Sequence, residues 1–191
     1  MRIFSAVSGY RFLTFIARLL PKRFGNSVFR FFGKLAGRLN KDRRSMVGKH
    51  LRRTKSSDLD GREMQKSIDE VFASYATYWF QSFRLPGMSA EKILEGFDYE
   101  GKANLDEALS SEVGPIIVLP HLGGWEWAAF WVTKIREIPL TAVVEPLEPP
   151  EVFEWFRDFR SSLGMNVVPL GASAGSEVIA ALQAKEMVVL L

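Results

Sequence analysis

The 191-residue chain is 47% hydrophobic, enough for one sizeable core or for one domain with a helical appendage. It has no cysteine, which excludes disulfides, thiolate metal sites and cysteine nucleophiles; its two histidines, His50 and His121, are too few for most histidine-based metal sites. The net charge of +3 hides an asymmetry: residues 1–55 carry 15 Lys/Arg against one acid, Asp42 (net +14), and residues 56–191 carry 10 bases against 21 acids (net −11). A basic end on an acidic body points to an anionic surface as partner.

The amino-terminal stretch RIFSAVSGYRFLTFIARLLPKRFGNSVFRFFGKLAGRL places Phe, Leu and Ile at helical spacing, with Arg11, Arg18, Arg30, Lys34 and Arg38 interrupting every apolar run. No part of this amino-terminal stretch approaches 18 uncharged residues, which argues against a spanning helix there, and no small-residue cleavage site of a signal peptide is evident. The pattern suits helices lying in a membrane interface, bases at the headgroups and Phe/Leu in the acyl boundary. A basic face packed on its own domain is the alternative. Nucleic acid is disfavoured, since no groove-reading or base-stacking motif accompanies the charge. Pro21 separates two amphipathic helices, and NKDRRSMVGKHLRR continues as a third. SSDLDGRE reads as a turn with capping residues. Residues 61–84 follow as a long helix with Met64, Ile68, Val71, Phe72, Tyr75, Trp79, Phe80 and Phe83 on one face, broken at Pro86 and Gly87.

From about residue 97 short apolar runs alternate with helical patterns. The runs are 115–119, 140–144, 166–170 and 187–191, with helices expected at 125–136, 150–163 and 176–185. Continuously apolar strands separated by helices predict an α/β fold, a largely parallel, buried sheet with crossover helices. The division expected is 1–96, a helical membrane-associating region, and 97–191, an α/β core. A parallel sheet that stops on an apolar strand reads as a piece of a longer protein, incomplete at its carboxyl end.

Ligands of open α/β sheets gather at the carboxyl ends of strands. His121 stands there in VLPHLGGWEW, followed by Gly123 and Gly124, which let the backbone turn tightly. Glu126, at a helix start, lies within reach of the imidazole, and His-x4-Glu offers a base with a carboxylate to orient it. The spacing is short and equally fits a hydrogen-bonded structural His beside a helix-start Glu favoured by the dipole. Gly171-Ala172-Ser173-Ala174-Gly175 matches the G-x-S-x-G of an esterase elbow. In that fold, however, the acid and His follow the Ser, and no His follows Ser173; a glycine-rich turn with Ser173 or Ser176 as N-cap is the simpler reading. Arg157 and Arg160, near the strand ends, suit either a phosphate or solvent.

HLGGWEWAAFW, followed by AVVEPLEPPEVFEWFRDFRSSLGMNVVPLG, resembles the phosphatidylinositol mannoside acyltransferases of actinobacteria. These belong to the membrane-associated acyltransferases that include the lipid A lauroyl acyltransferases. The resemblance runs from about residue 43, through RRSMVGKHLRRT and FDYEGKANLDEAL, and is strongest over 115–171. It implies that His121 is the catalytic base, Glu126 its partner, and Glu145 and Arg160 residues lining the acceptor site. The implied reaction moves a long acyl chain from acyl-CoA, a co-substrate with no separate cofactor or metal, to a mannose hydroxyl of a phosphatidylinositol mannoside. The implied place is the cytoplasmic face of the plasma membrane, bound peripherally to anionic lipids. A non-catalytic, truncated membrane-bound module is the different-class alternative, with a Ser173 esterase behind it.

Overall fold

The computed structural model describes residues 6–54 and 61–191; most of the SSDLDGRE turn lies outside them. Two compact units result: Leu13–Arg84, and Leu85–Leu191 together with the described residues up to Phe12.

The first unit is helical. Within α1 (Ala6–Leu19), α2 (Lys22–Leu39), α3 (Lys41–Thr54) and α4 (Gly61–Arg84), the breaks fall where Pro21 and Asn40 interrupt the pattern. Pro21 cannot donate into a continuing helix. The carbonyls it leaves open at the end of α1 are taken by Arg84, whose Nη1 donates to Ala17 O (2.7 Å) and Leu20 O (2.5 Å). Helix α2 divides its circumference three ways. Gly25, Gly33 and Gly37 press on Phe80, Ala76 and Phe72 of α4. Arg30, Lys34 and Arg38 form a basic face, and Phe24, Phe31, Phe32, Leu35 and Leu39 form an exposed apolar stripe. The α4 side facing these glycines explains one departure from expectation. Ala73, Phe80 and Phe83 are buried, whereas Val71 and Tyr75, expected on the packed face, are exposed. The pattern marks two apolar surfaces on α4, and only one meets α2.

The bases also depart from a uniformly solvated face. Arg30 and Lys34 pair with Glu70 (2.5 Å each), and Arg38 and Arg44 pair with Asp69 (2.8 and 2.6 Å). Among the described residues no helix is long and apolar enough to cross a membrane.

The second unit holds a four-stranded, all-parallel sheet of β1 (Ile116–Val118), β2 (Leu140–Val144), β3 (Met165–Pro169) and β4 (Met187–Leu190), in the order β1-β4-β2-β3. Ile116 registers with Val188, Thr141 with Val188 and Asn166. The crossovers are α7 (Trp125–Lys134), α8 (Pro150–Ser162) and α9 (Ala174–Gln183). This is the expected α/β architecture. Met187, Val188 and Val189 of the inner strand β4 are buried, and so is most of LTAVV in β2. Strand β1 differs. It is an edge strand, and Val118 keeps 77% of its surface exposed. Two short helices, α5 (Ala90–Glu95) and α6 (Lys102–Leu109), were not anticipated. Between them Phe97 stacks on Trp131 of α7 at 4.7 Å, and Tyr99 lies 4.8 Å from the same ring.

Candidate active site

Because every strand of the sheet runs the same way, the segments that follow them share one edge. Pro120–Gly124 leaves β1, Glu145–Pro149 leaves β2, and Leu170–Ser173 leaves β3. Leu119 N–H donating to Leu190 O at 3.1 Å carries the ladder one residue past β1. The chain then turns, with Leu122 N–H donating to Pro120 O at 2.7 Å. Gly123 has φ +58°, left-handed backbone that favours glycine. Gly124 has φ −94°, which any residue adopts, so the turn requires only the first of the two glycines. His121 is exposed on this turn, its ring 6.3 Å from that of Trp125.

Helix α7 opens on Trp125 and Glu126, and both are buried, Glu126 to 1% exposure. A carboxylate that deep needs a counter-charge. Arg160 of α8 supplies it, with Nη2 3.6 Å from Glu126 Oε1. The guanidinium also lies 5.1 Å from the centroid of the Trp125 ring and 5.8 Å from that of Phe156. Among the described residues no hydrogen bond or ion pair links His121 to Glu126. Trp125 stands instead as the shared neighbour, near the imidazole and near the guanidinium. Two donors of this cluster, Trp125 Nε1–H and Arg160 Nε–H, are buried without a hydrogen-bond partner. Each such group costs about 1–3 kcal/mol when left unsatisfied, so the cluster can accept a further oxygen without displacing a bond already made.

Also against α8, Tyr10 of α1 stacks on Trp155 at 5.2 Å and meets Phe156 edge-on at 5.0 Å. Thus Phe156 touches both Tyr10 and Arg160. Sequence reasoning did not single out Trp125 or Phe156. The Glu126–Arg160 pairing spans 34 positions and has no local spacing signal.

The remaining candidates lie apart from this cluster. Glu145 is exposed where β2 ends, at the same sheet edge as His121. Arg157 pairs with Glu154 one turn earlier on α8, a solvated surface pair. Ser173 has ordinary right-handed backbone (φ −88°, ψ −12°) at the start of α9. Its hydroxyl donates to Glu177 Oε1 at 2.7 Å. That is the arrangement of a helix start, where a nucleophile elbow would be a sharp, strained turn.

Over 99 residues the chain is 39% identical to a phosphatidylinositol mannoside acyltransferase of Mycobacterium tuberculosis (strain CDC 1551 / Oshkosh), a stretch covering 51% of this chain and 31% of the relative. Over 103 residues it is 38% identical to the phosphatidylinositol mannoside acyltransferase of Mycolicibacterium smegmatis (strain ATCC 700084 / mc(2)155), covering 54% and 34%. The match therefore spans about a third of the length of these curated relatives. Residues 2–191 match the family described as bacterial lipid A biosynthesis acyltransferase, and with nearly the whole chain inside that match, it belongs to this family.

Proposed function

We propose that the protein is a membrane-associated acyltransferase that moves a long acyl chain from acyl-CoA to a glycolipid hydroxyl, the acceptor being a mannose of a phosphatidylinositol mannoside. The observation that carries this reading is His121 on a tight turn at the carboxyl edge of the sheet, its ring 6.3 Å from that of Trp125, whose other neighbour is the Arg160 that pairs with buried Glu126. Membership of an acyltransferase family gives the reaction class, and the relatives' names supply the acceptor.

In this reading His121 accepts the proton of the acceptor hydroxyl as its oxygen attacks the thioester carbon. The tetrahedral intermediate collapses, the C–S bond breaks, and the imidazolium returns its proton to the departing thiolate. A positioned base contributes typically ~10²–10⁴-fold. Glu126 is assigned as the carboxylate partner of His121, as the resemblance implies, and Arg160 holds that carboxylate in place. The unpaired N–H groups of Trp125 and Arg160 are donors for a developing oxyanion or an acceptor oxygen. Glu145 and Arg160 are assigned to the acceptor side. Ser173 and a covalent acyl-enzyme have no part. The exposed apolar stripe of α2, with Phe12, Phe15 and Leu19 exposed on α1, holds the protein peripherally on the cytoplasmic face of the plasma membrane, on anionic lipid.

The test is acyl transfer from a long-chain acyl-CoA to the glycolipid by the full-length protein. His121→Ala is expected to abolish transfer and also slow hydrolysis of acyl-CoA, since water is only a poorer acceptor for the same base. Full transfer without His121 would return the residue to a structural role.

A further inference from the structure

We propose that the corner between α1 and α2 holds a binding cleft for the headgroup of an anionic, hydroxyl-bearing phospholipid. The proposal shares the bilayer part of the reading above and is independent of the transfer chemistry. A cleft of about 250 Å³, lined by Lys22, Arg23, Asn26, Phe80 and Gln81, opens at the first turn of α2. Drug-sized ligands occupy roughly 300–1,000 Å³, so this volume suits a headgroup and excludes a whole lipid.

The lining sets the chemistry. Lys22 and Arg23 bring two cations that, unlike Arg30, Lys34, Arg38 and Arg44, form no ion pair among the described residues. The first turn of α2 contains no acid and no side-chain cap, so its N–H groups add to the positive potential. Those features call for a phosphate. Asn26 adds a second requirement, because its Oδ1 is buried and has no hydrogen-bond partner. A carbonyl oxygen repels phosphate oxygens; it needs a donor. A hydroxyl a few bonds from the phosphate supplies one, as in phosphatidylglycerol or phosphatidylinositol, and phosphatidic acid lacks it. Leu19 and Phe24 flank the corner with 67% and 61% of their surface exposed. Side chains of that kind beside a headgroup cleft belong in the acyl boundary, which selects a lipid over a soluble phosphate.

The experiment measures binding of the full chain to phosphatidylcholine vesicles doped to equal surface charge with phosphatidylglycerol or with phosphatidic acid. Lys22→Gln/Arg23→Gln is compared with Lys41→Gln/Lys49→Gln, which removes the same charge from α3. Diffuse attraction, at about fivefold per basic residue near an anionic surface, costs the two pairs alike; the cleft adds contacts that only the first pair makes, so that pair is expected to weaken binding by at least about tenfold more than the second. Asn26→Leu, checked for an unchanged melting curve, is expected to keep anion binding and lose the preference for phosphatidylglycerol. Equal losses from the two charge pairs, with Asn26→Leu retaining the preference, would overturn the cleft and leave diffuse attraction. No binding of the unaltered chain to either vesicle would overturn the bilayer reading as well. Binding of free glycerol phosphate as tight as that of the vesicles would identify a soluble-ligand site and overturn the lipid assignment.

Discussion

At the scale of single residues, His121 and Arg160 stand in opposite environments, and that separates what each substitution does. His121 is exposed and belongs to no ion pair among the described residues, so His121→Ala is expected to leave the melting temperature nearly unchanged while transfer is lost. Arg160 keeps only 14% of its side chain exposed, under two aromatic rings and against a carboxylate that keeps 2%. Removing one partner of a buried pair withdraws a counter-charge from a desolvated ion, a loss of up to about 3–5 kcal/mol. Arg160→Ala should therefore lower stability clearly, whatever it does to acceptor use. Glu126→Gln should do likewise, and the Glu126→Gln/Arg160→Gln double variant should cost less than the sum of the singles, because the stranded charge disappears. Additive melting shifts would show that the pair is not coupled. This is also where the sequence was least informative about the site. His121 at a strand end and Glu126 at a helix start could both be read from the local pattern. That Glu126 turns to Arg160 depends on the fold bringing the Arg160 side chain of α8 to the start of α7, which no spacing along the chain encodes.

At the scale of elements, periodicity was legible wherever an element buries a face of its own. The runs LTAVV and MVVLL are continuously apolar because β2 and β4 are inner strands, and Pro21 marks a boundary by backbone chemistry alone. Helices α5 and α6 escaped because they are six and eight residues long, too short for an apolar repeat to emerge. The α2–α4 contact was hidden for a different reason, since glycine carries no hydropathy signal and here sets the distance between helices. A Cβ added at Gly33 would lie 2.6 Å from both Ala76 Cβ and the Phe72 carbonyl oxygen, whereas one at Gly9 of α1 meets nothing within 4 Å. Replacing a helical glycine by alanine gains about 1 kcal/mol of propensity, and overpacking costs about 1–3 kcal/mol. Gly9→Ala is thus expected to raise the melting temperature and Gly33→Ala to lower it; a rise in both would mean that the helices part freely. The ion pairs on the same helices add a pH dependence. Burial of Asp69 works to raise its pKa, yet hydrogen bonds from Arg38 and Arg44 prevail and hold it below the usual carboxylate value. Hydrogen bonds from Lys34 and then Arg30 do the same for Glu70. Depressed native values mean that the unfolded chain binds more protons in acid. The contribution is therefore complete above the ordinary carboxylate range and lost as pH falls through the depressed values. Chemical denaturation midpoints should decline on acidification less steeply in Asp69→Asn/Glu70→Gln than in the unaltered chain, by a modest margin since Glu70 is exposed.

At the scale of the whole molecule, the charge asymmetry and the exposed apolar residues both bear on how the protein meets a bilayer, and salt separates them. The net of +14 over residues 1–55 overstates the charge available, because Arg30, Lys34, Arg38 and Arg44 are spent on Glu70 and Asp69. Those that remain contribute roughly 1 kcal/mol each near an anionic surface, and salt screens them. Fully burying a Phe or Leu side chain contributes about 1.5–3 kcal/mol, independent of that screening. The exposed stripe of α2 alone offers Phe24, Phe31, Phe32, Leu35 and Leu39. In dilute buffer the two terms are of similar size, whereas at high salt screening removes the first and leaves the apolar stripe as the anchor, so charge serves to choose the surface. Co-sedimentation with anionic vesicles is expected to weaken as salt rises yet to persist at high salt. Phe24→Ser/Phe31→Ser/Leu39→Ser, which touches no charge and no residue packed on α4, should abolish the persistent fraction. Complete release by salt, with that triple variant binding like the unaltered chain in dilute buffer, would make charge the main anchor.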